Sequence, residues 1–481
     1  MGFLKKLASQ TAVYGLSSML GRFINFLLII PQTMLFDSVD SYGQITIVFG
    51  TIAFLNIVLS YGMETAYFNF IRQGNDAHKV YATAQKSVIL STLLFGVLVI
   101  LFIHQSAALL GYPEHTEFVW CCVIFLVFDT LSVLPFARLR FEEKPWQFAT
   151  IKLVNIFINV GLNVFLLRNT PDFLKPYGQV TLVLIANAAA SIASFILLAP
   201  LVFKINVKFD KVLYKKMLHY AWPLIFVGLA GIVNETLDRV LLKRLLPASE
   251  ADYQAGIYGA FYKLTMVMTM FVQAFRFAAE PFFFKQKESN ESRQIYATIM
   301  YWFTGVCAFI FLACMLFVND LAALFIRDQK YFTSDNGIAV VPILLLANLF
   351  LGIYYNLSIW YKLSNRTKLA AIVAIGGALL TIYSNIVFIP LYGFTACAWI
   401  TLAVYAAMCL AAFILGQKYF KVPYQVWKII LIIMLSLGFW QFFLTIESHI
   451  SEIWMTYCTK LALLGVIFLI IWLLQPKVKK A

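Results

Sequence analysis

The sequence predicts an all-α polytopic membrane protein with about 14 transmembrane helices. Of its 481 residues, 62% are hydrophobic and only 12% are charged, and the mean hydropathy is +0.82, far from the composition of soluble domains. The apolar residues recur in blocks of about 20, the length that a helix needs to cross the hydrocarbon of a bilayer. The alternation of apolar and polar residues that is typical of strands is absent.

Apolar blocks between polar connections define the predicted spans. The first follows the basic residues Lys5 and Lys6 and lacks the short apolar region and cleavage site of a signal peptide, so we interpret it as an uncleaved helix. The spans are predicted at residues 10–36, 42–70, 83–105, 117–137, 148–167, 178–203, 220–242, 255–284, 296–319, 337–361, 368–390, 394–416, 426–446 and 453–474.

The distribution of basic residues predicts the orientation. With the N-terminus inside, 26 of the 37 Lys and Arg residues fall in cytoplasmic segments, six in outer connections and five within spans. Because basic residues concentrate on the cytoplasmic side, this asymmetry favours a multi-pass protein of the cytoplasmic (inner) membrane with both termini cytoplasmic. Scattered in this way, they do not indicate a nucleic-acid-binding domain, although the formal net charge is +14.

A weak internal repeat divides the chain. Gly43 at the entry to span 2 corresponds to Gly256 at the entry to span 8, and Gly178 at the start of span 6 corresponds to Gly393 just before span 12, at offsets of 213 and 215 residues. Many transporters consist of two related halves. We therefore predict a six-helix lobe over residues 1–204, a second six-helix lobe over 205–421, and two additional helices with a cytoplasmic tail over 422–481.

Basic residues inside spans are candidates for substrate binding, since a charge at the bilayer centre costs at least about 2.5 kcal/mol unless it faces protein or water. Arg22, beside Asn25 in span 1, lies too deep to reach the headgroups easily. In span 8, Lys263 and Arg276 lie 13 residues apart, about 20 Å along a straight helix. We expect Arg276 to face a cavity and Lys263 to lie nearer the outer headgroups.

Acidic residues inside spans are candidates for ion coupling or gating. In span 7, Glu235, Asp238 and Arg239 are spaced three and four residues apart, which places them on one helical face. This cluster is either a coupling or gating site or a salt bridge that lets Arg239 reach the interface. Asp129 in span 4 is either a protonatable coupling group or a neutral, hydrogen-bonded carboxyl.

The other titratable residues predict no catalytic or metal site. The seven Cys show no CxxC or Cys/His spacing, and no connection is long enough for a catalytic domain. We expect Glu64 and Glu280, at the inner ends of spans 2 and 8, to pair with cytoplasmic Lys or Arg, and Lys460 to lie at the outer interface. The protein is predicted not to be an enzyme and to need no cofactor, with H⁺ or Na⁺ as the candidate coupling ion.

Several short motifs carry a resemblance to a known family. They are Ala12 to Leu16, Leu20-Gly21-Arg22, Ser41-Tyr42-Gly43, Asp238-Arg239, Gly256-Ile257-Tyr258, Glu280-Pro281-Phe282 and Ile389-Pro390-Leu391-Tyr392-Gly393. The chain thereby resembles the bacterial polysaccharide flippases of the multidrug, oligosaccharidyl-lipid and polysaccharide exporter superfamily, which are relatives of the lipid II flippase.

The resemblance implies two six-helix lobes around a central cavity, alternating access, and an undecaprenyl-pyrophosphate-linked oligosaccharide as the substrate, for O-antigen, capsule or exopolysaccharide. It implies that Arg22 and Arg276 contact the pyrophosphate, and we expect Arg239 or Lys263 to assist nearer the outside. Guanidinium groups suit this role because they bind phosphate oxygens bidentately. The expected partners are the lipid bilayer, this substrate, and a polymerase with other glycan-assembly proteins, but no nucleic acid.

Two alternatives stay open. A multidrug or organic-cation antiporter of the same superfamily would depend on acidic instead of basic cavity residues. A membrane enzyme of glycan assembly would need a dispersed catalytic constellation, for which the short connections offer little support.

Overall fold

A computed structural model describes residues 19–203, 207–285, 290–332, 337–364, 366–450 and 452–476. All regular secondary structure within these ranges is helical, which confirms the predicted all-α class. The motif from Ala12 to Leu16 and both chain termini lie outside the described residues.

The described chain forms two compact units that divide after Gly259. Unit 1 holds α1 (Met19–Leu35), α2 (Val39–Arg72), α3 (Ala77–Leu101), α4 (Thr116–Phe141), α5 (Pro145–Arg168), α6 (Gly178–Phe203), α7 (Lys211–Leu245) and most of the first segment of α8 (Ala248–Leu264). Unit 2 holds the second segment of α8 (Met266–Lys285), α9 (Asn290–Leu316), α10 (Val340–Leu357), α11 and α12 (the two arms of Thr367–Tyr419), α13 (Val426–Glu447) and α14 (Ile453–Leu473). The six-helix lobes with a boundary at residue 204 stay a prediction.

The helix count agrees with a multi-pass membrane protein. Eleven described helices are long and apolar enough to cross a membrane, and the bent pair that forms α8 makes twelve. Thr367–Tyr419 has 53 residues, about 80 Å of helix, which is enough for two crossings of about 30 Å. With its arms counted separately and the shorter α1 added, the described chain supplies 14 apolar spans, in line with the predicted number.

The arms α11 and α12 fold back on each other at Gly393. Leu380 and Val404 line the same cleft of about 530 Å³, whereas a straight helix would separate them by about 36 Å. The reversal occurs where Gly393 adopts φ 56° and ψ −141°, a conformation that strains residues with a side chain. The Tyr392-Gly393 pair thus separates two spans, as the sequence predicted.

Polar residues in the connections determine where several helices begin. Ser38 begins α2, and its hydroxyl accepts a hydrogen bond of 3.2 Å from the backbone N–H of Ser41. Asp210 begins α7 and accepts bonds of 2.9 Å from the backbone N–H groups of Val212 and Leu213. Pro145 is the first residue of α5, where its missing N–H costs nothing.

Within unit 1, α2 and α8 cross at the two glycines that the internal repeat relates. A Cβ atom on Gly43 would lie 1.8 Å from the carbonyl oxygen of Asp252, and one on Gly256 would lie 2.2 Å from that of Val39. The two backbones are therefore in direct contact, which any residue larger than glycine would prevent. The internal repeat itself stays a prediction.

Candidate functional site

Arg22 and Asn25 lie one turn apart on the same face of α1, and both side chains are exposed. The helix packs against α5 through Gly21, where a Cβ atom would come within 2.7 Å of the Ile156 side chain. One turn further along this contact, Oδ1 of Asn25 accepts a hydrogen bond of 3.3 Å from Nδ2 of Asn159 in α5. Asn25 is therefore held at the edge of the contact between α1 and α5, with Arg22 beside it.

Asn159 belongs to a row of amides in α5 that the sequence analysis missed. Asn155, Asn159 and Asn163 are four residues apart and share one face of the helix. Nδ2 of Asn163 lies 2.8 Å from both the main-chain oxygen and Oδ1 of Asn159, and Nδ2 of Asn155 lies 2.9 Å from Oγ of Ser194 in α6. Asn159 is 7% exposed and Asn163 is fully buried. The four-residue spacing inside an apolar span was the signal that could have revealed this row.

Lys263 and Arg276 do not share a straight helix, which corrects the geometry expected for span 8. The chain bends by 52° between Ala248–Leu264 and Met266–Arg276, with the break at Thr265. Lys263 lies half-buried in the last turn before the break. Arg276 lies exposed beyond it, with its guanidinium carbon 4.7 Å from the ring centroid of Tyr355 in α10. Because Arg276 belongs to unit 2 and Arg22 to unit 1, their joint contact with one substrate stays a prediction.

The charged residues of α7 lie on one side of a continuous helix but in two different environments. Asp238 is 5% exposed, and its Oδ2 accepts a hydrogen bond of 2.6 Å from the hydroxyl of Tyr258 in α8. Its Oδ1 accepts a bond of 2.8 Å from the backbone N–H of Arg239. Glu235, three residues earlier, is exposed. Asp238 and Glu235 are about 60° apart around the helix axis, so Tyr258 covers Asp238 and leaves Glu235 exposed.

Asp129 of α4 lies inside unit 1 and interacts with residues of two neighbouring helices. Its Oδ1 accepts a hydrogen bond of 3.1 Å from Oγ of Ser191 in α6, and it interacts electrostatically with Lys152 of α5. Lys152 lies within α5, with its Nζ 4.2 Å from the ring centroid of Phe136. An acidic and a basic side chain therefore interact among α4, α5 and α6.

The sequence analysis also missed an ion pair in unit 1 whose two side chains are largely buried. Nζ of Lys243, in the last turn of α7, lies 2.8 Å from Oδ1 of Asp252 in α8, and the two side chains are only 11% and 12% exposed. The hydroxyl of Tyr112 also donates to Oδ1 at 2.8 Å, and Nε2 of Gln44 in α2 lies 3.4 Å from Oδ2. Four separate parts of the chain thus meet at one carboxylate, next to the close crossing of α2 and α8.

Two expected ionic contacts have different outcomes. Glu64 in α2 pairs with Arg140, with 2.6 Å between Oε1 and Nη2, which confirms the expected bond to a basic residue. The side chain of Glu280 lies outside the described residues. Lys460 is 5% exposed, and its Nζ lies 2.9 Å from Oδ2 of Asp320, so it is buried and paired; its expected place at the outer interface stays a prediction.

Comparisons with solved structures agree with this architecture. The chain is similar to the lipid II flippase MurJ in an inward closed conformation, with 15% identity, a TM-score of 0.71, and coverage of 95% of this chain and 97% of that one. It is similar to the MATE multidrug transporter DinF-BH, with 15% identity, a TM-score of 0.61, and coverage of 86% and 96%. An inward-facing multidrug resistance MATE family transporter of the MOP superfamily gives 12% identity, a TM-score of 0.57, and coverage of 85% and 94%. At these identities the similarity establishes the fold.

Sequence comparison supplies the family. No curated protein matches the chain. The family model described as "Polysaccharide biosynthesis protein" matches residues 7–287, more than half of the chain. This match includes α1 to α7 and both segments of α8, together with all the candidate substrate-binding and coupling residues. The chain belongs to the polysaccharide biosynthesis protein family.

Proposed function

We propose that this protein is a flippase that moves an undecaprenyl-pyrophosphate-linked oligosaccharide across the bacterial cytoplasmic membrane by alternating access, for O-antigen, capsule or exopolysaccharide assembly. The observation that carries this proposal is the exposure of two guanidinium groups within apolar helices, Arg22 beside Asn25 on α1 and Arg276 on α8. These groups are suited to phosphate oxygens. Arg22, Asn25 and Arg276 bind the pyrophosphate in this proposal, and Arg239 or Lys263 assists nearer the outside.

The sign of the exposed charges favours an anionic substrate over an organic cation. Arg22 and Arg276 are exposed, whereas Asp129 and Asp238 accept hydrogen bonds from neighbouring helices within unit 1. Glu235 is the exposed acid among the candidates. A multidrug antiporter, the first alternative, would instead depend on these acids for cation binding. Its support is the fold that the chain shares with MATE transporters.

Asp129, Glu235 and Asp238 are the proposed sites of coupling or gating, with H⁺ or Na⁺ as the ion. Asp129 is the best placed of the three, because Ser191 and Lys152 offer alternative partners when its charge changes. Translocation measured in vesicles with an imposed H⁺ or Na⁺ gradient would identify the ion. The membrane enzyme of glycan assembly, the second alternative, would be supported by product formation from purified protein without other enzymes.

The location follows from the same proposal. A lipid-linked substrate that is made on the inner leaflet requires a protein of the cytoplasmic membrane, and the basic residues favour cytoplasmic termini. A polymerase and other glycan-assembly proteins are the proposed partners on either side of the translocation step.

The test is the accumulation of undecaprenyl-linked oligosaccharide on the cytoplasmic leaflet. Depletion of the protein and the double variant Arg22→Ala with Arg276→Ala should both cause accumulation at normal protein levels. Arg168→Ala, which removes an exposed guanidinium at the end of α5, is the control and should not. Accumulation on depletion alone would retain the flippase and reject the arginine site. No accumulation in either case would favour the antiporter.

A further inference from the structure

We propose that Asn163 and Asn159 of α5 are positioning residues that turn the amide of Asn25 so that its NH₂ group, and not its oxygen, faces the substrate beside Arg22. The inference rests on the proposed function, because it concerns how the same site selects a pyrophosphate. It assigns a role to two buried side chains that do not themselves contact the substrate.

The direction of the amide row is set by one obligate acceptor, the main-chain oxygen of Asn159. A side-chain amide can present either its oxygen or its nitrogen, and the neighbouring groups decide which. Asn163 must present Nδ2 to the main-chain oxygen of Asn159, at 2.8 Å, since two oxygens would repel each other. The same Nδ2 lies 2.8 Å from the side chain of Asn159, which must therefore present its own oxygen there.

The orientation of Asn159 in turn determines the orientation of Asn25. With its oxygen turned to Asn163, Asn159 has only Nδ2 to offer to α1, and Asn25 accepts this bond through Oδ1 at 3.3 Å. The NH₂ group of Asn25 is then directed away from α5, on the exposed side of the residue. Oδ1 of Asn163 remains buried without a hydrogen bond among the described residues, which is consistent with an orientation imposed from its other end.

In this orientation Arg22 and Asn25 present only hydrogen-bond donors to the substrate. Arg22, one turn away on the same face of α1, carries only N–H donors, and the outward group of Asn25 adds two more. An anionic oxygen is attracted by both groups, whereas a reversed Asn25 would place its carbonyl oxygen against the phosphate. Because α5 holds Asn159 and Asn163 buried, the orientation exists before the substrate arrives, which lowers the ordering cost of binding.

The variant Asn159→Asp reverses the row without changing its shape. The carboxylate still accepts from Asn163, but it cannot donate to Asn25, whose NH₂ must then turn inward. Asn155→Asp is the matched control, because it adds the same charge one turn away on the same face and contacts Ser194 instead of Asn25. Affinity would be measured for undecaprenyl pyrophosphate and for neutral undecaprenol with the full-length protein in nanodiscs.

We expect Asn159→Asp to raise the Kd for undecaprenyl pyrophosphate by about 10- to 100-fold, the loss of a charge-assisted hydrogen bond, and to leave the Kd for undecaprenol unchanged. Asn155→Asp should change both values by less than about threefold. An equal loss in both variants would mean that the added charge acts through space, and no loss in Asn159→Asp would mean that the orientation of Asn25 is irrelevant. Either result overturns the inference.

A second variant keeps the test decisive if Asn159→Asp does not fold. Asn159→Leu removes the donor without adding a charge, so Asn25 can adopt both orientations, and we expect a loss of about three- to tenfold that Asn155→Leu does not share. A different variant, Arg22→Ala, tests the proposed function independently of the positioning role. If Arg22→Ala leaves the affinity for undecaprenyl pyrophosphate intact, the site itself is wrong, whereas loss in Arg22→Ala with no effect at Asn159 rejects only the positioning role.

Discussion

Replacing Lys243 by Met should destabilise unit 1 by about 2–4 kcal/mol. Removing one member of a buried ion pair typically costs about 3–5 kcal/mol, because the other charge stays buried without its partner. Here Tyr112 and Gln44 still donate to Asp252, and each member of the pair is about a tenth exposed, so the expected loss is about 1 kcal/mol smaller than this typical cost. Methionine nearly preserves the length and packing of the lysine stem. The loss of stability therefore measures the effect of removing the positive charge, and not an effect of packing.

The assay is equilibrium unfolding of the purified protein by SDS in mixed micelles, followed by circular dichroism. Lys175→Met is the control, since Lys175 and Asp172 form an ion pair of 2.5 Å whose side chains are 64% and 93% exposed. Exposed pairs contribute at most about 1 kcal/mol. The double variant Lys243→Met with Asp252→Asn should regain part of the loss, because no unpaired charge remains. Equal effects of the two lysine variants, or a double variant as unstable as the sum of its parts, would refute the reasoning.

Three further changes have defined outcomes. Gly43→Ala should destabilise the protein by at least about 3 kcal/mol, because the new Cβ would lie 1.8 Å from a carbonyl oxygen of α8. Gly161→Ala should instead stabilise it by up to about 1 kcal/mol, because a Cβ atom there would have no neighbouring atom within 4 Å. Unfolding curves in SDS will distinguish the two variants. Burial opposes ionisation of Asp320, but hydrogen bonds, one of them from Lys460, outweigh it and lower the pKa of this carboxyl. Its stabilising effect is therefore present above the unfolded pKa of about 3.9 and lost as the pH falls below it, so Asp320→Asn should remove that part of the acid sensitivity in thermal unfolding between pH 7 and pH 3. Asp129→Asn should retain substrate binding and lose the dependence of translocation on an H⁺ or Na⁺ gradient; unchanged gradient dependence in vesicles would exclude Asp129 as the coupling group.

The positions of the membrane helices could be predicted from the sequence, because the free energy of placing a helix in the bilayer depends mainly on the residues of that helix. Each apolar run of about 20 residues favours the bilayer largely through its own side chains, and its backbone polar groups are satisfied within the helix. The repeat of Gly43 and Gly256 was also visible as a pattern, although its meaning was not: only the structure shows that these two glycines bring α2 and α8 into backbone contact.

Part of the candidate site could be predicted from the sequence. Arg22, Asn25, Asp129 and Arg276 were identified because charged or amide groups are costly inside apolar spans, a property of composition. The bend at Thr265 was not predicted, since a single interrupted turn leaves little trace in hydropathy. The straight-helix geometry expected for Lys263 and Arg276 failed for that reason.

The sequence by itself determined the class of the protein, the order of its helices and the set of polar residues that the membrane would have to accommodate. The tertiary structure alone decided which of these residues meet: Asp238 with Tyr258, Asp252 with Lys243 and Tyr112, and Asn25 with Asn159, at separations of 9 to 140 residues along the chain. Helical periodicity relates residues within one helix, but a buried polar group is satisfied by whichever neighbouring helix packs against it. That choice depends on helix crossing and rotation, which only the packed chain specifies.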